Sequence, residues 1–298
     1  MAIRALLTGA SSGIGRELAR ELAAKRWQLA VAARTRDALE TLAQELEAAG
    51  APRPAVLETD LARRGAAGEL ARRAAAALGA VDVLVNNAGG GVGGRIATVG
   101  DRDEARDAFE VNYWSPLALV RALLAPMVER GSGMVVNVTS MAQVSTWPGF
   151  GAYAATKAAL ATATETLRLE LIGTGVHVLE AIPGPVDTAV QGETRLAPGI
   201  GEMLDRVPLG DAREMARRIV RAMGRRDAHV VYPRRAAIAY HLPSLARRDT
   251  RRVAARVART TDPAVREALE DLVVRTGSQG DDVARTAREA WERDRGRG

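Results

Sequence analysis

Tyr153 and Lys157 are the residues whose types and spacing first suggest chemistry. They stand four apart in a run that predicts a helix over 151–173, so both side chains leave the same helix face. A phenol titrating near its ordinary ~10 is a poor proton donor or acceptor at neutral pH, and a neighbouring ammonium favours its anion. Of 42 basic residues only Lys25 and Lys157 are lysines; arginine takes every other basic position. Ser140 lies thirteen residues before Tyr153 and follows the apolar run Met134–Val138, which would set its hydroxyl at a strand end. Together they could hold one substrate oxygen (Ser140), exchange a proton with it (Tyr153) and support that exchange (Lys157). Singly, each has a plainer reading: Ser140 as a cap, and the Tyr/Lys pair as surface decoration.

A second group binds rather than reacts. The segment Thr8-Gly9-Ala10-Ser11-Ser12-Gly13-Ile14-Gly15 falls between a first apolar strand and a helical run. Such a loop offers backbone N–H groups and a positive helix end to a pyrophosphate, with glycines where the backbone must turn or approach closely. The alternative is an ordinary strand–helix turn. The second strand ends Val31-Ala32-Ala33-Arg34, with no acid until Asp37. An acid there reads the 2′-hydroxyl of NAD, whereas an arginine suits a 2′-phosphate. Arg34 therefore points to NADP(H), with a solvated surface arginine and NAD(H) as the alternative.

Short apolar runs at Ile3–Leu7, Gln28–Ala33, Ala55–Glu58, Asp82–Val85, Met134–Val138, Val176–Ala181 and His229–Tyr232 predict strands. Helical patterns lie between them, near 13–25, 36–49, 63–78, 103–130, 151–173 and 211–224. Continuous apolar strands alternating with helices imply right-handed βαβ units. The expected fold is α/β, a doubly wound parallel sheet (Rossmann-like, about seven strands), with ligands at the carboxyl ends of its strands.

The loop resembles that of the short-chain dehydrogenase/reductase family. The likeness continues through Asn86-Asn87-Ala88-Gly89, Ser140, Tyr153-x-x-x-Lys157 and Pro183-Gly184-Pro185-Val186-x-Thr188, in order over about residues 2–232. It implies an oxidoreductase moving a hydride between a nicotinamide and an alcohol or carbonyl carbon, with the positive nicotinamide also favouring the tyrosinate. Asn112, Ser140, Tyr153 and Lys157 would be the catalytic residues, Asn112 holding a water that links Lys157 to solvent. Implied cofactor residues are Thr8, Gly9, Ser11, Ser12, Gly13, Ile14, Gly15, Arg34, Asp60, Leu61, Asn87, Ala88, Gly89, Tyr153, Lys157, Pro183, Gly184, Val186 and Thr188. Of these, Asp60 would bind the adenine with Leu61 beside it. Asp60 also reads as a helix N-cap for a segment starting near Ala62. The resemblance further implies a homodimer or homotetramer joined through the 103–130 and 151–173 helices.

Substrate contacts are expected from Gly90–Arg95, Met141–Phe150 and Thr188–Gly210, with Ser140, Met141, Trp147 and Tyr153 as the named residues. Met141, Val144, Trp147 and Phe150 give one wall an apolar cast that suits a hydrophobic carbonyl compound; ordinary packing is the alternative. The glycine- and proline-bearing stretch Ala189–Gly210 reads as a lid.

Composition narrows the rest. With no cysteine, thiolate catalysis, disulfides and cysteine-bound metal are excluded, and three scattered histidines argue for no metal site. The chain carries +6, and residues 234–298 account for most of it, with 15 arginines against 10 acidic residues. We expect a catalytic and cofactor domain over 1–233 and an Arg-rich helical C-terminal extension over 234–298. Helices are expected over Arg234–Arg259, from Asp262-Pro263 to Arg275, and over Asp281–Asp294. Docking of this extension on the domain or a partner subunit is expected, with peripheral membrane contact as the alternative and no nucleic-acid role. No apolar run approaches the ~18 residues of a membrane span, nor does the N-terminus resemble a signal peptide, so a cytoplasmic protein is expected.

Overall fold

A computed structural model describes residues 2–94, 96–144, 149–186, 210–244, 247–248 and 250–252. Its centre is a seven-stranded sheet: β1 (Arg4–Thr8), β2 (Gln28–Ala33), β3 (Ala55–Glu58), β4 (Val83–Asn86), β5 (Gly133–Val138), β6 (Val176–Pro183) and β7 (His229–Tyr232). The order is β3-β2-β1-β4-β5-β6-β7 and every pairing is parallel. The chain starts at β1, runs out to β3, then returns to β4 beside β1. That reversal opens a crevice above the carboxyl ends of β1 and β4.

Alternate strand residues feed two apolar layers. On one face Ala5, Leu7, Val31, Val83, Val85 and Val136 meet helices α1 (Gly13–Ala24), α2 (Arg36–Ala48) and α7 (Ala212–Arg225). On the other, Leu6, Ala30, Leu84, Val135 and Val178 meet α3 (Ala66–Leu78), α5 (Ser115–Glu129) and the C-terminal half of α6 (Gly151–Glu170). Both faces of the central strands β1, β2, β4, β5 and β6 are largely buried, which is why these read as nearly unbroken apolar runs.

Two helices depart from expectation. The third begins at Ala66 rather than 63, because Asp60 Oδ1 accepts the Ala62 N–H at 3.0 Å and caps a turn, not the helix itself. The long helix expected over 103–130 is divided into α4 (Asp103–Phe109), a π-helical turn (Glu110–Trp114) and α5. Pro116 accounts for the break. It has no N–H for the carbonyl of Asn112 four residues back, and its ring crowds that carbonyl. Beyond β7, helix α8 (Arg234–His241) opens the C-terminal extension, and its Tyr240 ring lies 6.0 Å from that of His229. The helices expected after 252 lie outside the described residues, as does nearly all of the expected lid. Among the described residues no helix is long and apolar enough to cross a membrane.

Candidate active site

The glycine loop lies over the crevice. Gly9 has φ +67°, and a Cβ there would stand 2.7 Å from the Ala88 Cα. A Cβ on Gly15 would fall on the Gly9 carbonyl oxygen. Both positions thus demand glycine, one for backbone conformation and close approach, the other for packing of α1 on the loop. Ser12 opens α1 without a side-chain cap, so the first-turn N–H groups are left for an anion. Thr8 and Asn87 brace the loop from beneath. The Thr8 hydroxyl donates to Val85 O (3.2 Å) and accepts from the Asn87 and Ala88 N–H groups, both at 3.0 Å. The Asn87 carboxamide donates to Thr8 O at 3.0 Å and Gly9 O at 3.1 Å. Their side chains therefore shape the loop from within the chain.

Arg34 is exposed at the end of β2 and makes no hydrogen bond or ion pair with the described residues. Arg16, by contrast, is engaged with Glu45 at 2.9 Å on the helix surface. Asp60 is exposed beyond β3, while Leu61 is buried and its carbonyl accepts the Ser115 hydroxyl at 2.8 Å. These features fit a dinucleotide: a backbone cradle that side chains would fill, an uncapped helix end, and an unpaired guanidinium at the ribose end.

At the other end of the crevice, Ser140 leaves β5 in extended conformation and caps a one-turn helix, Met141–Gln143, by accepting the Ala142 N–H at 3.1 Å. Tyr153 stands on the first turn of α6, where the Ser140 hydroxyl favours its anion. Lys157 is 4% exposed; its Nζ donates to Val138 O at 3.1 Å and sits 6.0 Å from the Tyr153 ring centroid. Burial pushes the Lys157 ammonium down to about 8. Burial also raises the Tyr153 hydroxyl above the ordinary phenol range, and the Ser140 hydroxyl opposes it.

Asn112 is fully buried in the π-helical turn. Its Oδ1 accepts the Gly90 N–H at 3.0 Å, and its Nδ2 donates to Gly90 O (2.8 Å) and Thr156 Oγ1 (3.0 Å). Both amide hydrogens are committed to protein, so the side chain anchors the Gly90 loop to α6. On the nicotinamide side, Pro183 ends β6, the Gly184 N–H donates to Tyr232 O at 2.6 Å, and Val186 bridges to Gly210. Met141 is buried and Val144 and Phe150 are half-buried; Trp147 and Thr188 lie outside the described residues.

The sequence reading passed over a buried polar set beside Ser140: Thr139, Gln143 and Glu180, the last 3% exposed within β6. A carboxylate in the otherwise apolar run Val176–Pro183 was the available signal, since an unpaired charge is rarely fully buried.

Comparison with known proteins agrees with this architecture. The family model "short chain dehydrogenase" matches residues 4–198. The chain is 35% identical over 249 residues to dehydrogenase/reductase SDR family member 7B of Bos taurus, covering 81% of this chain and 74% of that protein. A short-chain dehydrogenase/reductase from Burkholderia phymatum, solved in complex with NAD, superposes with TM-score 0.72 at 27% identity, over 83% of this chain and 95% of that one. A single-substitution variant of actinorhodin polyketide ketoreductase, solved with NADPH, gives TM-score 0.71 at 29% identity over 78% of this chain and 95% of that one. Fold and neighbours define a doubly wound protein of the class that binds a nicotinamide cofactor. The chain belongs to the short-chain dehydrogenase/reductase family of oxidoreductases.

Proposed function

We propose that this chain is an NADP(H)-dependent carbonyl reductase, reversible as a secondary-alcohol dehydrogenase. The observation that carries the reading is the meeting of Ser140, Tyr153 and Lys157 at the end of β5, opposite the glycine loop. When bound, the nicotinamide supplies or takes up the hydride. Ser140 holds the substrate oxygen beside the Tyr153 hydroxyl. Tyr153 Oη gives that oxygen its proton in reduction and removes it in oxidation. Lys157, fixed by Val138, holds the ribose hydroxyls and keeps positive charge beside Tyr153. Asn112 fixes Gly90 and Thr156; a water serving Lys157 would be held by its main-chain carbonyl, which Pro116 cannot satisfy in the α-helical way. Gly9, Ser11, Ser12, Gly13, Ile14 and Gly15 hold the pyrophosphate, Asp60 and Leu61 flank the adenine, and Pro183, Gly184, Val186 and Thr188 flank the nicotinamide.

NADPH is favoured by the unpaired Arg34 and by the NADPH-bound ketoreductase among the structural neighbours. The NAD-bound neighbour supports NADH as the second reading. Met141, Val144 and Phe150 suit a hydrophobic ketone. A homodimer is supported by a groove of small residues on α6, including Ala159, Thr162 and Ala163, facing Tyr113 and Leu117. The exposed Trp114, Leu169 and Ile172 continue the same apolar surface. The division at 233/234 is supported by α8 packing on β7, as expected of a docked extension.

The test titrates tryptophan fluorescence with NADPH and NADH, then assays reduction of acetophenone, 2-octanone and ethyl acetoacetate. Tighter NADPH binding with turnover of at least one ketone supports the reading. Tighter NADH binding moves the assignment to the second reading. Binding of neither by folded protein rejects both.

A further inference from the structure

Glu180 takes no part in the chemistry just described, yet it is the most deeply placed acid among the described residues, 3% exposed in the middle of β6. A carboxylate removed from water must be satisfied or it destabilises the fold. Oε1 is engaged by two donors, and Oε2 faces an imidazole. Oε1 accepts the Thr139 hydroxyl at 2.7 Å and the Gln143 carboxamide at 3.0 Å. Oε2 faces His229 Nε2 of β7 at 3.5 Å. Arg168 of α6 supports that side, with one guanidinium nitrogen 3.3 Å from His229 Nε2 and others on Val178 O and Ala228 O.

The two Oε1 donors are not arbitrary residues. Thr139 immediately precedes Ser140, and Gln143 closes the single helical turn that Ser140 caps. Gln143 Nε2 also reaches Thr139 Oγ1 at 3.4 Å, closing a triangle around one oxygen. One buried acceptor on the neighbouring strand thus grips the chain on both sides of Ser140. The Ser140 hydroxyl, engaged by the Ala142 N–H inside this loop, can turn little unless the grip is released. Charge-assisted hydrogen bonds of this kind are stronger than neutral ones, and they add to the two backbone bonds within the turn.

We propose that Glu180 is a positioning residue for the carbonyl-reductase site: through Thr139 and Gln143 it fixes the Ser140 turn, and with it the place of the substrate oxygen beside Tyr153. The inference rests on the functional reading above. It assigns Glu180 no contact with substrate or cofactor, so its effect should fall on turnover and spare cofactor binding.

The test uses the full chain and three variants. Glu180→Gln keeps an acceptor for Thr139 and Gln143 and can donate to His229. Glu180→Leu removes the acceptor, and Gln143→Ala removes one tether while leaving the buried carboxylate paired. Hydrogen exchange of the amides over 139–144 reads the turn directly, without turnover. Expected results are faster exchange there in Glu180→Leu and Gln143→Ala, unchanged exchange in the Gly9–Gly15 loop, and protection retained in Glu180→Gln. With NADPH and the best ketone of the panel, kcat should fall about tenfold to a hundredfold in the first two variants, the NADPH dissociation constant staying within about twofold. Glu180→Gln should recover most of kcat. Unchanged exchange over 139–144 in folded Gln143→Ala overturns the proposal. So does a parallel loss of kcat and cofactor affinity, which marks general destabilisation. If the wild-type chain reduces no ketone, the functional reading falls, and the exchange result alone decides whether Glu180 holds the turn.

Discussion

At the scale of residues, two buried groups pull in opposite directions. Lys157 is held at about 8 by burial although its ordinary value is near 10.5. The unfolded chain therefore binds more protons than the folded one between those values, and folding stability rises with pH across that window. Lys157→Met should abolish turnover yet raise stability at pH 7 by about 1–2 kcal/mol, once the lost bond to Val138 is counted. That advantage should shrink as pH rises from about 8 and be nearly gone by about 10.5, where the folded lysine is neutral and the unfolded one half so. Denaturant melts at about pH 7 and about pH 10 check both signs. Tyr153→Phe keeps the ring and its packing and removes only the hydroxyl; kcat should fall about 10²–10⁴-fold with the NADPH dissociation constant little changed, read by steady-state kinetics. Arg34→Ala should weaken NADPH binding about tenfold to a hundredfold and leave NADH within about twofold, because only the former offers a 2′-phosphate to the guanidinium.

At the scale of elements, the site is a set of strand ends held in register. Thr8 shows how: one buried hydroxyl joins β1 to the segment leaving β4, through Val85 O and two N–H groups. Thr8→Val matches its shape and removes all three bonds. It should destabilise the fold by about 1–3 kcal/mol, measured by urea unfolding, and loosen NADPH binding because Asn87 and Gly9 lose their support. The helices carrying the other groups are positioned by small sequence features. Pro116 breaks the helical ladder at Asn112, and the resulting π-helical turn lets that carboxamide reach Gly90 and Thr156 together. Glu180 does the corresponding work on the far side, from β6 to the Ser140 turn.

At the scale of the whole molecule, the subunit contact proposed above is assigned to the α5–α6 surface. The groove floor is alanine and threonine, which lets another helix approach closely, and its borders expose Trp114, Leu169 and Ile172. Ala163→Arg places a charged side chain in that groove and should convert a dimer to a monomer, as read by light scattering on a size-exclusion column. Retained dimer would move the contact to another face.

Much of this was legible in the sequence because it depends on local constraints. Short apolar runs marked seven strands, three of them to the residue; the central ones, buried on both faces, have little choice of composition. The glycine loop, the Tyr153/Lys157 spacing and the terminal position of Ser140 follow from backbone sterics and helix periodicity, which neighbours in sequence dictate. What sequence left open required residues distant in the chain to be brought together. The sequence showed Asn112 but not its partners at 90 and 156, and Lys157 but not the burial that depresses it. Glu180 passed unremarked in the sequence, because only the folding of β5 and β7 against β6 brings Thr139, Gln143 and His229 to its carboxylate. Local spacing decides which side chains share a face; only packing decides how far each is removed from water and which distant group then satisfies it.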